Sequence, residues 1–320
     1  MPRRRGASPQ HADKTGRTRA SSVGKAGGEP SHTPAGSKPQ QAEIASALYL
    51  VATPIGHAED ITLRALKTLS AADAIACEDT RVTAKLLARH GIERPLLSYH
   101  EHNAERMRPV LLERLRRGET LALVSDAGTP LISDPGFKLV RAALEEGLPV
   151  TTVPGPSAPL AALLLSGLPS DRFLFAGFLP PKAAARRTAL AEFAEVKASL
   201  VFFESAPRLA GALADMAAVL GPRPAAVARE LTKLFEEVRR GSLAELAARY
   251  AEEGPPRGEL VVVVGPPVAE PAPEGEALDR QIETALASMS IKDASAAVAA
   301  ATGLPRRAVY ARALTLAGRG

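Results

Sequence analysis

Short apolar runs alternate with segments of helical period through residues 48–167. Such an alternation is typical of parallel α/β units, in which each strand is followed by a helix that covers the sheet. We expect the strands near residues 48–53, 73–77, 95–98, 120–124 and 149–152. The first helix should begin after an N-cap at Asp60 and carry one apolar stripe of Ile61, Leu63, Leu66 and Leu69. The fold class that this pattern predicts is α/β.

A second alternation begins at Phe173 after the turn at residues 167–171. Its strands are expected near residues 173–177, 199–203, 224–228 and 259–264. We therefore predict two α/β domains with a cleft between them, at residues 47–167 and 168–265.

The two ends of the chain differ from these domains. Residues 1–46 are rich in Ser, Gly, Pro and Ala, which predicts a disordered basic tail. Residues 266–276 predict a Pro-rich linker, and residues 277–320 a small helical module. In that module Ser290 should cap a helix that ends at Gly303, and Pro305 should start the next. A helix-turn-helix unit and a plain helical hairpin both fit this pattern.

The charge is distributed unevenly. Residues 1–46 hold eight basic and three acidic side chains, so that totals of 40 and 35 leave 32 of each sign in the remainder. An RNA-binding surface on the neutral body would need an asymmetric placement of charge. The single cysteine, Cys77, excludes an internal disulfide and fits a reducing cytoplasm. No apolar run reaches the length of a membrane span, so no membrane partner is expected.

The expected strands end in loops of unusual composition. Residues 125–136 read Ser-Asp-Ala-Gly-Thr-Pro-Leu-Ile-Ser-Asp-Pro-Gly, where glycines and prolines fix the backbone and Asp126 and Asp134 each could cap a turn or contact a ligand. Loops at the carboxyl ends of parallel strands are where α/β proteins bind ligands. Other distinctive blocks occur before and after this loop, at residues 53–56, 77–81, 98–103, 153–158, 202–205, 229–233 and 258–259.

With these blocks the chain resembles the RsmI-type 16S rRNA 2'-O-methyltransferases of the tetrapyrrole methylase superfamily, from about Leu48 to Val264 and again from Ala277 onward. The resemblance implies S-adenosylmethionine (SAM) as methyl donor, 16S rRNA of the small ribosomal subunit as substrate, and a homodimer. It also implies that loop backbone contacts the cofactor in the cleft. The cofactor residues that it implies are Pro54, Ile55, Asp126, Gly128, Thr129, Ile132, Ser157, Ala158, Phe203, Glu230 and Leu231.

A ribose 2'-hydroxyl is a reluctant nucleophile, so acids and histidines beside the cleft are candidates for proton transfer. Two neighbouring strand ends supply them, and the candidate catalytic residues are Glu78, Asp79, Arg81, His100, His102 and Asn103. In an extended run His100 and His102 would share a face. A two-histidine metal site is an alternative, but no third ligand has useful spacing, so no metal is predicted. Another alternative is a purely structural ion pair between Arg81 and a carboxylate, which would only join two loops.

Two further interpretations remain open. A relative in the same superfamily would methylate a tetrapyrrole or a modified protein side chain. A regulator built around the terminal helices would bind nucleic acid without catalysis. No Gly-x-Gly-x-x-Gly follows the first strand and no Walker loop is present, so neither a Rossmann-type site nor a P-loop site is expected.

Overall fold

The computed structural model describes residues 44–268 and 273–318. Most of the predicted basic tail and part of the predicted linker therefore lie outside the described residues. The first sheet is entirely parallel and has the strand order β3-β2-β4-β1-β5. Its strands are β1 (Leu48–Val51), β2 (Ala74–Cys77), β3 (Leu96–Ser98), β4 (Leu121–Val124) and β5 (Val150–Val153).

Helices cover both faces of this sheet, which is why β2 and β4 are buried along their whole length. Helices α1 (Leu63–Ala71) and α2 (Thr80–Arg89) pack on one face. Helices α3 (Ala104–Arg116) and α4 (Phe137–Glu145) pack on the other. The fifth helix, α5 (Ala158–Ser166), follows β5 but packs elsewhere.

The second sheet is mixed, with the order β6-β7-β10-β8-β9. Only β6 and β7 are parallel neighbours. One face packs on helices α6 (Ala183–Ala191), α7 (Leu209–Leu220) and α8 (Leu243–Glu253). The strands are β6 (Phe173–Phe178), β7 (Ser199–Glu204), β8 (Pro224–Arg229), β9 (Glu237–Ser242) and β10 (Leu260–Val264).

Helix α5 covers the other face of the second sheet. Its Ala162 and Leu163 are buried in one cluster with Val201 and Val263 of that sheet. At its end, Nε of Arg240 donates a 3.1 Å hydrogen bond to the carbonyl oxygen of Ser166. A segment that the sequence pattern assigns to the first α/β unit thus packs on the second one. The predicted boundary at residue 167 remains a prediction.

The terminal module contains α9 (Gly275–Leu286), α10 (Ile291–Thr302) and α11 (Arg306–Ala317) around a small core of Ile282, Val298, Val309 and Ala313. Its predicted caps are present, since Ser290 Oγ accepts the amide of Asp293 and Gly303 ends α10 in the left-handed conformation. None of the described helices has the length and apolar character needed to cross a bilayer.

Three local expectations are wrong. The N-cap of α1 is Thr62, whose Oγ1 accepts the amide of Ala65, because Asp60 ends a short 3-10 helix (Ala58–Asp60). Strand β3 ends at Ser98, so the following residues form a turn and not a strand. Strand β9 was not expected, because an edge strand reading Glu-Val-Arg-Arg-Gly-Ser has no buried alternate face.

Candidate active site

A cavity of about 550 Å³ lies between the two sheets. The first sheet contributes the loops after β1 and β4 and the start of α5, and the second contributes the ends of β7 and β8 and the start of β10. Its volume falls within the range of small-molecule sites. Nine of the eleven predicted cofactor residues line it, namely Ile55, Asp126, Gly128, Thr129, Ile132, Ser157, Ala158, Phe203 and Leu231.

The loop after β4 reaches the cavity with a strongly constrained backbone. Gly128 exchanges two backbone hydrogen bonds with Thr53, of 2.9 and 3.0 Å, which joins the loops that follow β4 and β1. Oγ1 of Thr129 donates to the carbonyl oxygen of Pro156 at 3.0 Å. Gly128 has φ +81°, and a Cβ there would lie 3.3 Å from Cγ2 of Ile55. The loop therefore needs a glycine at this place both for its conformation and for close approach.

Two other residues of this loop carry backbone strain. Leu131 and Ser133 have φ values of 71° and 68°, which side chains other than glycine rarely adopt. Strain of this kind costs on the order of 1–3 kcal/mol per residue and clusters at ligand sites. Ile132, which lies between these two residues, and Asp134, which follows them, line the cavity.

The charged groups that line the cavity are all acidic. They are Asp126, Asp134, Glu204 and Glu259, and among the described residues that line it there is no Lys, Arg or His. Glu204 is neutralised by Arg208, whose Nε lies 3.2 Å from its Oε1, and Glu259 pairs with Lys233, whose Nζ lies 3.0 Å from its Oε2. The other walls are mainly apolar. Such a cavity suits a cationic ligand with apolar parts and does not suit one that carries phosphates.

Asp134 was not among the predicted site residues, although the sequence shows its loop. Burial raises the pKa of its carboxyl to about 6, and the neighbouring charges of Glu78 and Asp126 add to this, while a hydrogen bond with Ser125 opposes it. A carboxyl that titrates near neutral pH can exchange protons during catalysis.

The predicted acidic residues after β2 have different environments. Burial, and then the charge of Asp126, raises the pKa of Glu78. Asp79 instead caps α2 and forms an ion pair with Arg81, which lowers the pKa of Asp79 to about 2. Its backbone amide donates to Oδ1 of Asp126 at 3.0 Å. Glu78 is thus the better proton acceptor of the two.

The residues after β3 form a compact turn. Oδ1 of Asn103 accepts the amide of His100 at 2.9 Å, and its Nδ2 donates to the carbonyl oxygen of Ser98 at 3.0 Å. His100 and His102 contact through their rings, with centroids 5.9 Å apart. Nδ1 of His100 is buried without a partner among the described residues. Asn103 therefore has a structural role. His100 lies close enough to Glu78 for its charge to lower the pKa of Glu78.

Two predicted cofactor residues, Pro54 and Glu230, do not line the cavity. Glu230 accepts hydrogen bonds from Nζ of Lys233 and from the amide of Glu259, each at 2.9 Å. It also closes over Gly258, where a Cβ would lie 2.3 Å from its Oε1. Glu230 therefore fixes the backbone at Gly258 and Glu259, which line the cavity, and does not line the cavity itself.

Several wall residues escaped the sequence interpretation, including Phe178, Ser205 and Pro207. Ser205 is the last residue of the recognised Phe-Phe-Glu-Ser block, and Pro207 lies in the turn that follows it. No group of three or more His, Cys, Asp or Glu side chains in residues 44–268 or 273–318 is arranged to hold a metal ion.

Comparison with known proteins places this two-sheet fold in a class of methylases. A sequence profile described as Tetrapyrrole (Corrin/Porphyrin) Methylases matches residues 47–247, and one described as RsmI C-terminal HTH domain matches residues 272–317. The solved uroporphyrin-III-C-methyltransferase of Thermus thermophilus is similar at a TM-score of 0.51 and 25% identity, covering 69% of this chain and 94% of that one.

Curated relatives refine this class. The chain is 54% identical to the ribosomal RNA small subunit methyltransferase I of Mesorhizobium japonicum, over 84% of this chain and 92% of the relative. It is 49% identical to the protein of that name from Xylella fastidiosa, over 82% and 97%. The chain belongs to the ribosomal RNA small subunit methyltransferase I family of the tetrapyrrole methylases.

Proposed function

We propose that this protein transfers a methyl group from SAM to the ribose 2'-oxygen of a cytidine in 16S rRNA of the small ribosomal subunit. The observation that carries the proposal is the acidic and apolar cavity between the sheets, in a chain that belongs to a family of rRNA methyltransferases. The cofactor is a cation with an apolar adenosyl part, which such walls can hold. The charged side chains that the phosphates of a nucleotide cofactor would meet are all carboxylates, which would repel them.

The residues that would hold SAM are the nine predicted ones that line the cavity, with the backbone at Gly128 and Thr129 as a cradle. When bound, SAM supplies a methyl group on a positively charged sulfonium. Asp126 and Asp134 would attract that charge, and the apolar side chains of Ile55 and Phe203 would keep water from the reacting atoms.

The acceptor hydroxyl needs a group that takes its proton. Asp134 fits this role because it lines the cavity and its pKa is about 6, so that it is ionised at neutral pH yet basic enough to accept a proton. Glu78, whose charge acts on Asp134, and His100, whose Nδ1 has no hydrogen-bond partner among the described residues, would serve as a proton relay. Asp79 and Arg81 would position the start of α2.

The proposal is tested by incubating the protein with labelled SAM and small subunits that lack their own 2'-O-methylation. Label should appear in 16S rRNA, on the 2'-oxygen of a single cytidine. A Thr129→Trp variant serves as the control, because an indole at this place would fill the cavity. Label in an added tetrapyrrole or in ribosomal protein, and none in rRNA, would assign the chain to the alternative substrate classes.

We also propose that the protein acts as a homodimer in the cytoplasm. Leu160 and Leu164 lie one turn apart on α5 and are 47% and 76% exposed, which is unusual for leucines unless another surface covers them. A Leu164→Glu variant should sediment as a monomer if α5 forms the dimer contact. The buried free thiol of Cys77 is consistent with a reducing compartment.

A further inference from the structure

The acidity of the cavity has a consequence for the substrate. RNA carries one negative charge per nucleotide, and nucleic-acid affinity comes largely from Lys and Arg contacts to phosphates. The cavity offers Asp126, Asp134, Glu204 and Glu259 and no cationic side chain among its described lining. The charges that hold the RNA backbone must therefore lie outside the cavity, yet close enough for one ribose to reach it.

Helix α2 begins at the edge of the cavity. Its N-cap Asp79 donates its amide to Asp126, which lines the cavity. The helix buries Thr83 and Leu87 against the first sheet. Its outer surface presents Arg81, Lys85 and Arg89, which share one face because they are four residues apart. These residues, here called the α2 basic face, extend about 12 Å along the helix.

The α2 basic face differs from the paired charges of α3 and α4 on the opposite side of the first sheet. Residues 80–92 contain no acidic side chain. On the opposite side of the sheet, Arg116 pairs with Glu146, Lys138 with Glu105 and Arg141 with Glu145. Within the described parts of the chain, Lys85 and Arg89 have no such carboxylate partner. Arg81 is bound to Asp79 but is 86% exposed, so some of its donors still face solvent.

The side chains between these basic residues are small. Ala84 and Ala88 are exposed and occupy the places between the basic side chains. Small side chains allow a wide polyanion to approach the helix closely, so that Lys and Arg can reach its phosphates at the same time. Residues 47–320 carry equal numbers of basic and acidic side chains, so the acid-free helix α2 is a local excess of positive charge of the kind that RNA binding to this part of the chain requires.

We infer that the α2 basic face binds the phosphate backbone of the RNA substrate next to the methylated nucleotide. The inference rests on the proposed function, since it names the surface by which that substrate is held. The phosphates flanking the target nucleotide contact Lys85 and Arg89, and the target ribose enters the acidic cavity past the start of α2. The separation of basic and acidic surfaces keeps the phosphates out of the cavity and the ribose in it.

The test compares the wild type with the double variant Lys85→Gln/Arg89→Gln in binding to isolated small subunits at a series of KCl concentrations. Each lost phosphate contact should lower the slope of log K against log salt by about 0.7–0.9, so the double variant should lose about 1.5. Its affinity should fall on the order of tenfold at moderate salt. SAM affinity, measured by calorimetry, should not change.

The matched control is Lys138→Gln/Arg141→Gln on α4, which removes the same two charges from the other side of the sheet, where both have carboxylate partners. Its salt slope should match that of the wild type. When the RNA concentration is varied up to saturation, the α2 variant should also show a raised KM for RNA and an unchanged kcat. A salt slope for the α2 variant equal to that of the control would overturn the inference.

The two proposals fail in distinguishable ways. Absence of methyl transfer by the wild type would contradict the proposed function. The salt slopes need no methyl transfer and judge the α2 basic face separately. If wild-type protein methylates the rRNA while the α2 variant keeps the full salt slope, the function stands and the assignment of the RNA surface is wrong.

Discussion

The backbone amide of Asp79 donates a 3.0 Å hydrogen bond to Oδ1 of Asp126. The two residues follow β2 and β4, which are neighbours in the first sheet. One bond thus connects the helix that we assign to RNA binding with the loop that we assign to the cofactor. A change at Asp126 should therefore act through both its charge and its hydrogen bond.

Two substitutions separate these contributions. Asp126→Asn keeps an oxygen that can accept the amide of Asp79 but removes the charge, whereas Asp126→Ala removes both. We expect the Asn variant to weaken binding of SAM more than binding of S-adenosylhomocysteine, which lacks the sulfonium charge. Calorimetry with both ligands measures the ratio of affinities. An equal loss for the two ligands would mean that the carboxylate acts only through its geometry.

The conformation of Gly128 can be tested against a glycine of the same backbone angle. Gly128 and Gly118 have φ values of +81° and +82°, but a Cβ at Gly118 would meet nothing within 4 Å. Each Gly→Ala substitution should therefore cost about 1–2 kcal/mol of stability. Only Gly128→Ala should also weaken SAM binding. Urea unfolding and calorimetry decide this, and a normal SAM affinity for a folded Gly128→Ala protein would contradict the proposed cradle.

Asp134 should lower the stability of the protein as the pH rises. Its folded-state pKa of about 6 lies above the ordinary value of 3.8, so the folded state binds the proton more tightly than the unfolded state does. Stability should consequently fall between about pH 4 and pH 6 and stay lower above that range. The shift sets an upper limit of about 3 kcal/mol for this effect.

Removing the charge should reverse this cost. Asp134→Asn should stabilise the protein by about 1–2 kcal/mol at pH 8 and by much less at pH 4, while it slows methylation on the order of 10²-fold. Denaturant unfolding at both pH values and single-turnover kinetics measure the two effects. Asp60→Asn, at an exposed carboxylate, is the control. An unchanged rate would leave Asp134 without a catalytic role.

The groups behind Asp134 should affect the rate and not the binding of the cofactor. We expect Glu78→Gln and His100→Ala to reduce the single-turnover rate at saturating SAM and RNA, each on the order of 10-fold or more, because both would pass a proton. Asp79→Asn should have little effect, because Asn is also a good N-cap and the pKa of Asp79 is about 2. A large loss for Asp79→Asn alone would reverse this ranking.

A buried ion pair away from the cavity joins α6 and α7, which pack on the second sheet. Asp215 contacts Arg186 at 2.6 Å, with side chains 9% and 8% exposed. Asp215→Ala should destabilise the protein by about 3–5 kcal/mol, because it leaves a buried cation without its partner. Glu145→Ala, which breaks the exposed pair with Arg141, should cost less than about 1 kcal/mol. Denaturant unfolding of both variants compares them.

The sequence predicts the parts of this molecule whose residues follow a regular period or a resemblance. The strands of the first sheet follow from apolar runs, and the cavity loops follow from the resemblance to known methyltransferases. Strand β9 could not be predicted in this way, because its side chains are only partly buried and do not alternate. The α/β class and the family are confirmed.

The side-chain directions within the site could not be predicted. Asp134 lines the cavity at the end of a loop in which Leu131 and Ser133 take left-handed conformations, which nothing in their residue types suggests. Glu230 turns away because Nζ of Lys233 and the amide of Glu259 hold its carboxylate, and the second contact depends on the folded positions of β8 and β10. The individual roles of the site residues therefore remain predictions.

Helix α5 also determines how a ligand can reach the cavity. The helix is attached to the first sheet through β5, lines the cavity with Ser157 and Ala158 at its start, and is buried on the second sheet through Ala162 and Leu163. Pulling the sheets apart would strip that helix of its apolar contacts. Helix α5 therefore fixes the spacing between the two sheets. Small molecules should enter and leave the cavity without any movement of the sheets apart from each other.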